Sequence, residues 1–296
     1  LVSKTFLFIG FSFEDPNLEY ILSRIRILLG NHVPEHFCFF KTLSEEKYDK
    51  KEDYLYDKVL LEHKIRDLTR YGIQALMIDD YDEVTQVLEL IKIKIKRKNI
   101  FISGAAAEYG NFNKIEAENL IFKFSKELTK RQYKIISGFG LGIGSSVING
   151  VLSQLSENNS TKLDDHLILR PFPQNIPDPD ERKKLWKKYR EAMLSEAGIA
   201  IFFFGNKLKD GEIVNSDGLI EEFEIAVNLG LKVVPVGCTG YVAKDLWDKL
   251  IANYEQYYPN SLEIKLSMEK LGNNSLKEQD IINHLIKIIN LLQNNL

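Results

Sequence analysis

Three charged side chains and one glycine-rich loop carry the chemistry legible in this chain. Arg190 ends the run Trp186-Lys-Lys-Tyr-Arg190, Lys207 follows Gly205-Asn206, and Glu222 sits in Asp217-Gly-Leu-Ile-Glu-Glu222. A guanidinium presents a planar fork of donors that suits a pyrophosphate, and a flexible ammonium suits a further phosphate oxygen. A carboxylate at a helix start can accept hydrogen bonds from ribose hydroxyls, although many first-turn acids only offset the helix dipole. The glycine-rich stretch is Ser137-Gly-Phe-Gly-Leu-Gly-Ile-Gly144, after the apolar pair Ile135-Ile136. Gly138, Gly140 and Gly142 let a backbone turn sharply or approach a ligand closely, and a helix start beyond them offers free N–H groups to an anion. Ser103 and Gly104, at the end of Asn99-Ile-Phe-Ile-Ser-Gly104, offer a similar approach. Arg170, before Pro171, is a further candidate; Glu221 and Glu224 read as structural. Together these groups describe a cleft for a two-phosphate, ribose-bearing ligand.

Such groups converge only if strands and helices alternate, because open parallel sheets bind ligands at the carboxyl ends of their strands. The chain alternates in this way. Thr5–Ile9, His36–Phe40 and Gln74–Ile78 read as buried strands, with a helix entered through Asp15 and Pro16 and others over Leu60–Tyr71 and Glu83 to about Ile95. Residues 41–58 read as an exposed loop or helix, and Leu90–Lys98 as a helix end running into a basic linker. From residue 98 onward, strands are expected at 99–104, 134–137, 167–169, 199–204 and 232–236. Helices are expected at 114–129, up to about 155 after the glycine loop, and at 181–196, 219–229, 242–251 and 278–292. Phe202 to Phe204 read as buried strand aromatics; Tyr254, Tyr257 and Tyr258 read as interface or surface. The fold class is α/β, with a partial Rossmann-type parallel sheet over 1–97 and a complete Rossmann-like domain over 98–296. The chain opens on Leu1, inside a strand, and is expected to be the C-terminal part of a longer protein.

The 296 residues carry 44% hydrophobic and 27% charged side chains and a net charge of -3. That balance fits packed cores and gives no reason to expect a nucleic-acid partner. Cys38 and Cys238 are the only cysteines, which fits a reducing, cytoplasmic setting and makes neither a zinc site nor a disulfide framework. No apolar run long enough for a membrane span is present. No metal site and no permanently bound cofactor are expected.

The second segment resembles the SLOG superfamily of nucleotide-binding domains. Arg190-Glu-Ala-Met193, the strand 199–204 and Gly218-Leu-Ile-Glu-Glu222 match the Arg-Lys-x-x-Met, strand and Pro-Gly-Gly-x-Gly-Thr-x-x-Glu pattern of lonely-guy phosphoribohydrolases. Asn215-Ser216 replaces the double glycine, Leu219 the threonine and Glu191 the lysine, so the resemblance implies binding rather than hydrolysis. The first segment, through Gly10-Phe-Ser-Phe-Glu-Asp-Pro16, resembles the C-terminal half of sirtuin-like NAD-binding domains. It implies that Gly10 and Ser12 approach NAD.

This domain order is similar to the effector family of the Thoeris anti-phage system. The resemblance implies a sirtuin-like NAD+ hydrolase and a SLOG domain that senses a cyclic ADP-ribose isomer made by a TIR-domain partner. It also implies homo-oligomers, as tetramers or filaments. The sirtuin catalytic histidine and asparagine are expected before Leu1, so no catalytic residue is assigned within the chain. His32, His36 and His63 read as ordinary histidines. The alternatives are a phosphoribohydrolase acting on nucleoside monophosphates and a pure assembly module.

Overall fold

The structure is a computed structural model that describes residues 3–30, 34–173 and 175–294. His32 lies outside the described residues. The chain divides into two compact units, Leu1–Leu90 and Ile91–Leu296. The boundary thus falls seven residues before the one expected from the sequence at 97/98.

The first unit holds β1 (Leu7–Phe8), α1 (Pro16–Leu29), β2 (His36–Lys41), α2 (Lys51–Arg70) and β3 (Ile73–Ile78). Its strands are parallel in the order β1-β2-β3. Asp15 caps α1, accepting from the Asn17 N–H at 2.9 Å, with Pro16 in the first turn where its missing N–H costs nothing. Leu22, Cys38, Leu68 and Ile73 form a small core. The second helix starts nine residues before the expected Leu60, at Lys51. Glu52 and Asp53 in its first turn favour that start through the helix dipole, and the lysines, glutamates and leucines that follow are good helix formers. His36 is buried at the head of β2, where its Nδ1 accepts from the Phe6 N–H at 3.2 Å. His63 is exposed on α2. The helix α3 (Asp82–Lys96) contains the unit boundary, so Leu90–Lys96 is helical and not a strand.

The second unit continues with β4 (Asn99–Ala105), α4 (Lys114–Lys130), β5 (Lys134–Ser137), α5 (Gly144–Glu157), β6 (Leu167–Leu169), α6 (Pro179–Ser195) and β7 (Ile199–Phe204). A hairpin of β8 (Asn206–Lys209) and β9 (Glu212–Asn215) comes next, then α7 (Asp217–Asn228), β10 (Lys232–Pro235), α8 (Tyr241–Ala252), α9 (Tyr254–Tyr257), α10 (Leu262–Lys270) and α11 (Glu278–Asn294). The five-stranded sheet runs β10-β7-β4-β5-β6, all parallel. The chain first builds outward from β4 through β5 to β6, then returns to the other side of β4 for β7 and β10. Strand order therefore reverses between β4 and β7, which stay paired to their last residues while the connections leaving them go to opposite sides and open a crevice. Every residue of β7 is buried, as a continuous apolar strand covered on both faces must be.

Two parts of this unit depart from expectation. The hairpin was not foreseen; it turns on Asp210 and Gly211, both at positive φ, as a two-residue turn between twisted strands requires. Tyr254 and Tyr258 are core residues rather than surface ones. Their hydroxyls donate to the carbonyls of Ser261 at 2.8 Å and Val233 at 2.7 Å, which removes the cost of burying them. Among the described residues, no helix is long and apolar enough to cross a membrane.

Candidate functional site

A cleft of about 510 Å³ opens at the C-terminal ends of β4, β5 and β7. Its volume lies within the range of small-molecule sites. Ser103 and Gly104 line it from β4, Gly138 and Gly140 from the loop after β5, Arg190 from α6, Lys207 from β8 and Glu222 from α7. All seven are among the residues expected on chemical grounds.

Arg190 is the centre of the site. Its helix is fixed at the start by Asp178, which accepts from the N–H groups of Asp180 and Glu181 at 2.8 and 3.2 Å. Three turns later Arg190 is only 7% exposed. Its Nη1 donates to Glu221 Oε2 at 2.7 Å, and its Nε lies 3.4 Å from Glu222 Oε1. The guanidinium lies 4.9 Å from the ring centre of Phe172 and 5.9 Å from that of Trp186. Trp186 Nε1 in turn donates to the Pro173 carbonyl at 2.8 Å, tying the segment after β6 to α6. Two aromatic faces and two carboxylates thus hold a planar cation at the cleft wall, an arrangement that suits arginine and not lysine.

Glu222 joins α7 to β4. It is 9% exposed, and its Oε2 accepts from Ser103 Oγ at 2.5 Å. Burial raises the Glu222 carboxyl above its ordinary range, against the opposing pull of Ser103 and Arg190. Folding therefore makes the carboxyl harder to ionise than in the unfolded chain. Its contribution to stability is full below the ordinary carboxylate range and declines as pH rises through the folded value. Glu222→Gln removes this dependence. As pH rises above the ordinary carboxylate range, scanning calorimetry should show the variant gaining stability relative to the native chain; parallel curves would refute the assignment.

Lys207 Nζ bonds Asp217 Oδ2 at 2.8 Å, and that bond draws the Asp217 carboxyl below its usual range. Both groups are exposed, so the pair is worth about 1 kcal/mol or less and is readily exchanged. Lys207 is placed by Asn206, a fully buried residue that the sequence reading passed over. Asn206 Oδ1 accepts from the Ala107 and Glu108 N–H groups at 2.9 Å each, and its Nδ2 donates to the Glu108 carbonyl at 2.8 Å. The helix α7 opens at Ser216 without a side-chain cap, and Ser216, Gly218 and Leu219 of its first turn line the cleft.

The glycines divide by role. A Cβ on Gly140 would collide with the Gly104 carbonyl, so the glycine loop lies directly on the exit of β4. A Cβ on Gly138 would stand 2.9 Å from the Phe172 ring, and one on Gly218 would stand 2.7 Å from Arg190 Nη2. Gly142, expected as a ligand contact, does not line the cleft. At φ +82 it faces the Ala106 carbonyl, and its requirement is conformational. Arg170 also lies outside the lining, pairing with Glu196 at 3.0 Å on the surface. Glu221, read as structural, is the nearest partner of Arg190. Phe172, Trp186 and Phe139 also line the cleft. Trp186 stands four places before Arg190, on the same helix face, which is the one signal that could have found it.

In the first unit, Gly10 and Ser12 lie in the exposed loop after β1. Gly10 has φ +68 with open space where a Cβ would stand, and Ser12 Oγ accepts from the Glu14 N–H at 3.4 Å.

Comparison with known proteins agrees with the two-part reading. Residues 83–292 match the model of the Sir2- and TIR-associating SLOG family, and residues 1–64 match a SIR2-like domain. The chain is 44% identical over 301 residues to the NAD(+) hydrolase ThsA of Cytobacillus dafuensis, covering 99% of this chain and 61% of that protein. It is 43% identical over 295 residues to ThsA of Bacillus cereus (strain MSX-D12), with 99% and 61% covered. Against ThsA of Acinetobacter baumannii (strain 532279), identity is 41% over 299 residues, with 99% and 62% covered. The chain spans about three fifths of the length of these relatives. With more than two thirds of its residues under the first of these models and a parallel sheet of the matching kind, the chain belongs to the Sir2- and TIR-associating SLOG family.

Proposed function

We propose that the cleft of the second unit receives a cyclic ADP-ribose isomer made by a TIR-domain partner. In this reading the longer protein is an anti-phage effector. Its sirtuin-like part hydrolyses NAD+ once the ligand has bound, with Gly10 and Ser12 on the NAD side. The second unit is the sensor, and binding favours one arrangement of a cytoplasmic homo-oligomer, a tetramer or filament, over another. The relatives' name, NAD(+) hydrolase, and the family's association with Sir2 and TIR domains support the effector role.

One observation carries the ligand assignment: a buried, aromatic-held Arg190 beside an uncapped helix start, with Glu222 adjoining it and bonded in turn to Ser103. A pyrophosphate needs the first pair and a ribose hydroxyl needs the second. The altered loop Asn215-Ser216-Asp217 argues against glycosidic cleavage. The nearness of Arg190 to Glu222 still gives the phosphoribohydrolase reading a concrete test.

Calorimetric titration of the chain with cyclic ADP-ribose isomers, ADP-ribose, NAD and AMP decides between them. Isomer-selective binding supports a signal receptor. Absence of cyclic-isomer binding together with release of adenine from AMP would replace that reading with the hydrolase. Absence of binding to every nucleotide would leave an assembly module.

A further inference from the structure

Arg190 reaches its two carboxylates on unequal terms. Glu222 is buried and fixed by Ser103, so it cannot leave its place without breaking that bond. Glu221 has a side chain 29% exposed and makes the shorter contact, 2.7 Å to Nη1. Glu221 also lines a small surface hollow with Asp180, Lys183, Lys184 and Lys187. A carboxylate swung away from Arg190 therefore has ammonium groups close by to receive it. The guanidinium, in contrast, is buried and requires a counter-ion at all times.

We propose that Glu221 is a displaceable counter-ion: it occupies the Arg190 fork until a phosphate takes that place, and so sets the threshold of the cleft for anionic ligands. The proposal rests on the reading of the cleft as a phosphate-ligand site and adds a residue that opposes binding. Glu221 satisfies Arg190 in the absence of an anion, and breaking that pair subtracts from the ligand's gross interaction energy. Glu222 acts in the opposite sense, remaining in place as a ribose acceptor.

The test titrates the chain, Glu221→Gln, Glu221→Asp and Glu222→Gln with the cyclic ADP-ribose isomers and, separately, with inorganic pyrophosphate. Glu221→Gln should tighten binding by about threefold to tenfold, the worth of one partly exposed guanidinium–carboxylate pair. Glu221→Asp keeps the charge but shortens the reach, and should tighten binding in the same direction. Glu222→Gln should weaken the nucleotide. Tightening in Glu221→Gln without any in Glu221→Asp would reduce the effect to net charge and overturn the proposal. Equal or weaker affinity in both variants, for both probes, would overturn it as well. If no cyclic isomer binds while pyrophosphate binds both Glu221 variants more tightly, the signal reading falls and the counter-ion role stands.

Discussion

Arg190→Ala should lower the affinity of the cleft for the proposed ligand, a cyclic ADP-ribose isomer, by about a hundredfold or more. The lost groups are charge-assisted hydrogen bonds made from a buried position, each worth about 1.5–3 kcal/mol. The fold survives the change. Without its guanidinium partner the Glu222 carboxyl, already displaced toward its neutral form by burial, protonates instead of remaining as a bare buried charge. Circular dichroism of the variant should match that of the native chain, and calorimetry should show binding lost. Arg190→Lys supplies the charge without the planar fork and without the stacking on Phe172 and Trp186. It should recover about a tenth of the native affinity or less. Native affinity in the alanine variant would remove Arg190 from the site.

Gly140→Ala produces the largest loss of stability. The added methyl group meets the carbonyl of Gly104, which is backbone and cannot rotate aside. Gly104 belongs to β4 and is held by its pairing with Phe203 of β7, so relief requires the glycine loop to move off the sheet. An overpacked site of this kind costs about 3 kcal/mol. For a unit of this size that lowers the melting temperature by about 6–12 °C. Gly138→Ala offers a contrast at the same cleft. Its methyl group meets the edge of the Phe172 ring, a side chain that can shift by a few tenths of an ångström. That substitution should move Phe172, and Arg190 beneath it, and so weaken binding more than stability. Thermal scans and titrations of the two variants side by side check both statements; equal melting temperatures for Gly140→Ala and the native chain would contradict the packing argument.

The parts of this architecture that were legible in the sequence are those set by local pattern. Ile199–Phe204 is apolar at every position, which only a strand covered on both faces allows, and its neighbours follow the same logic. Lys207 could be placed because it follows such a strand, at the end of the sheet where parallel folds keep their ligands. Arg190 and Glu222 lie inside α6 and α7, Glu222 in the second turn and not the first as expected, and were found by residue type and motif. The cap of α1 at Asp15-Pro16 was equally plain. What stayed hidden depends on tertiary placement. Phe172 lies in a proline-rich segment without periodicity, and nothing local says that it covers Gly138 and Arg190. Glu221 and Glu222 are adjacent acids in one helical turn, and only the packing of α7 on β4 buries one and leaves the other reachable. The hairpin 206–215 has short, polar strands, although Asp210-Gly211 was a readable turn signal. Tyr254 and Tyr258 looked like surface aromatics because their hydroxyl partners, Ser261 and Val233, are backbone carbonyls.

The bond from Ser103 to Glu222 joins positions 119 apart in the chain, and the cleft between them draws on the segments near 138, 172, 190 and 207 as well. No contiguous peptide contains the site. Recognition therefore exists only in the folded population, and folding and ligand capture form a single linked equilibrium. Ligand at a hundred times its Kd adds about 2.7 kcal/mol to the stability of the second unit. A cell that accumulates whatever ligand fills the cleft would thus also protect this chain from proteolysis, so that its abundance and the occupancy of its cleft rise together.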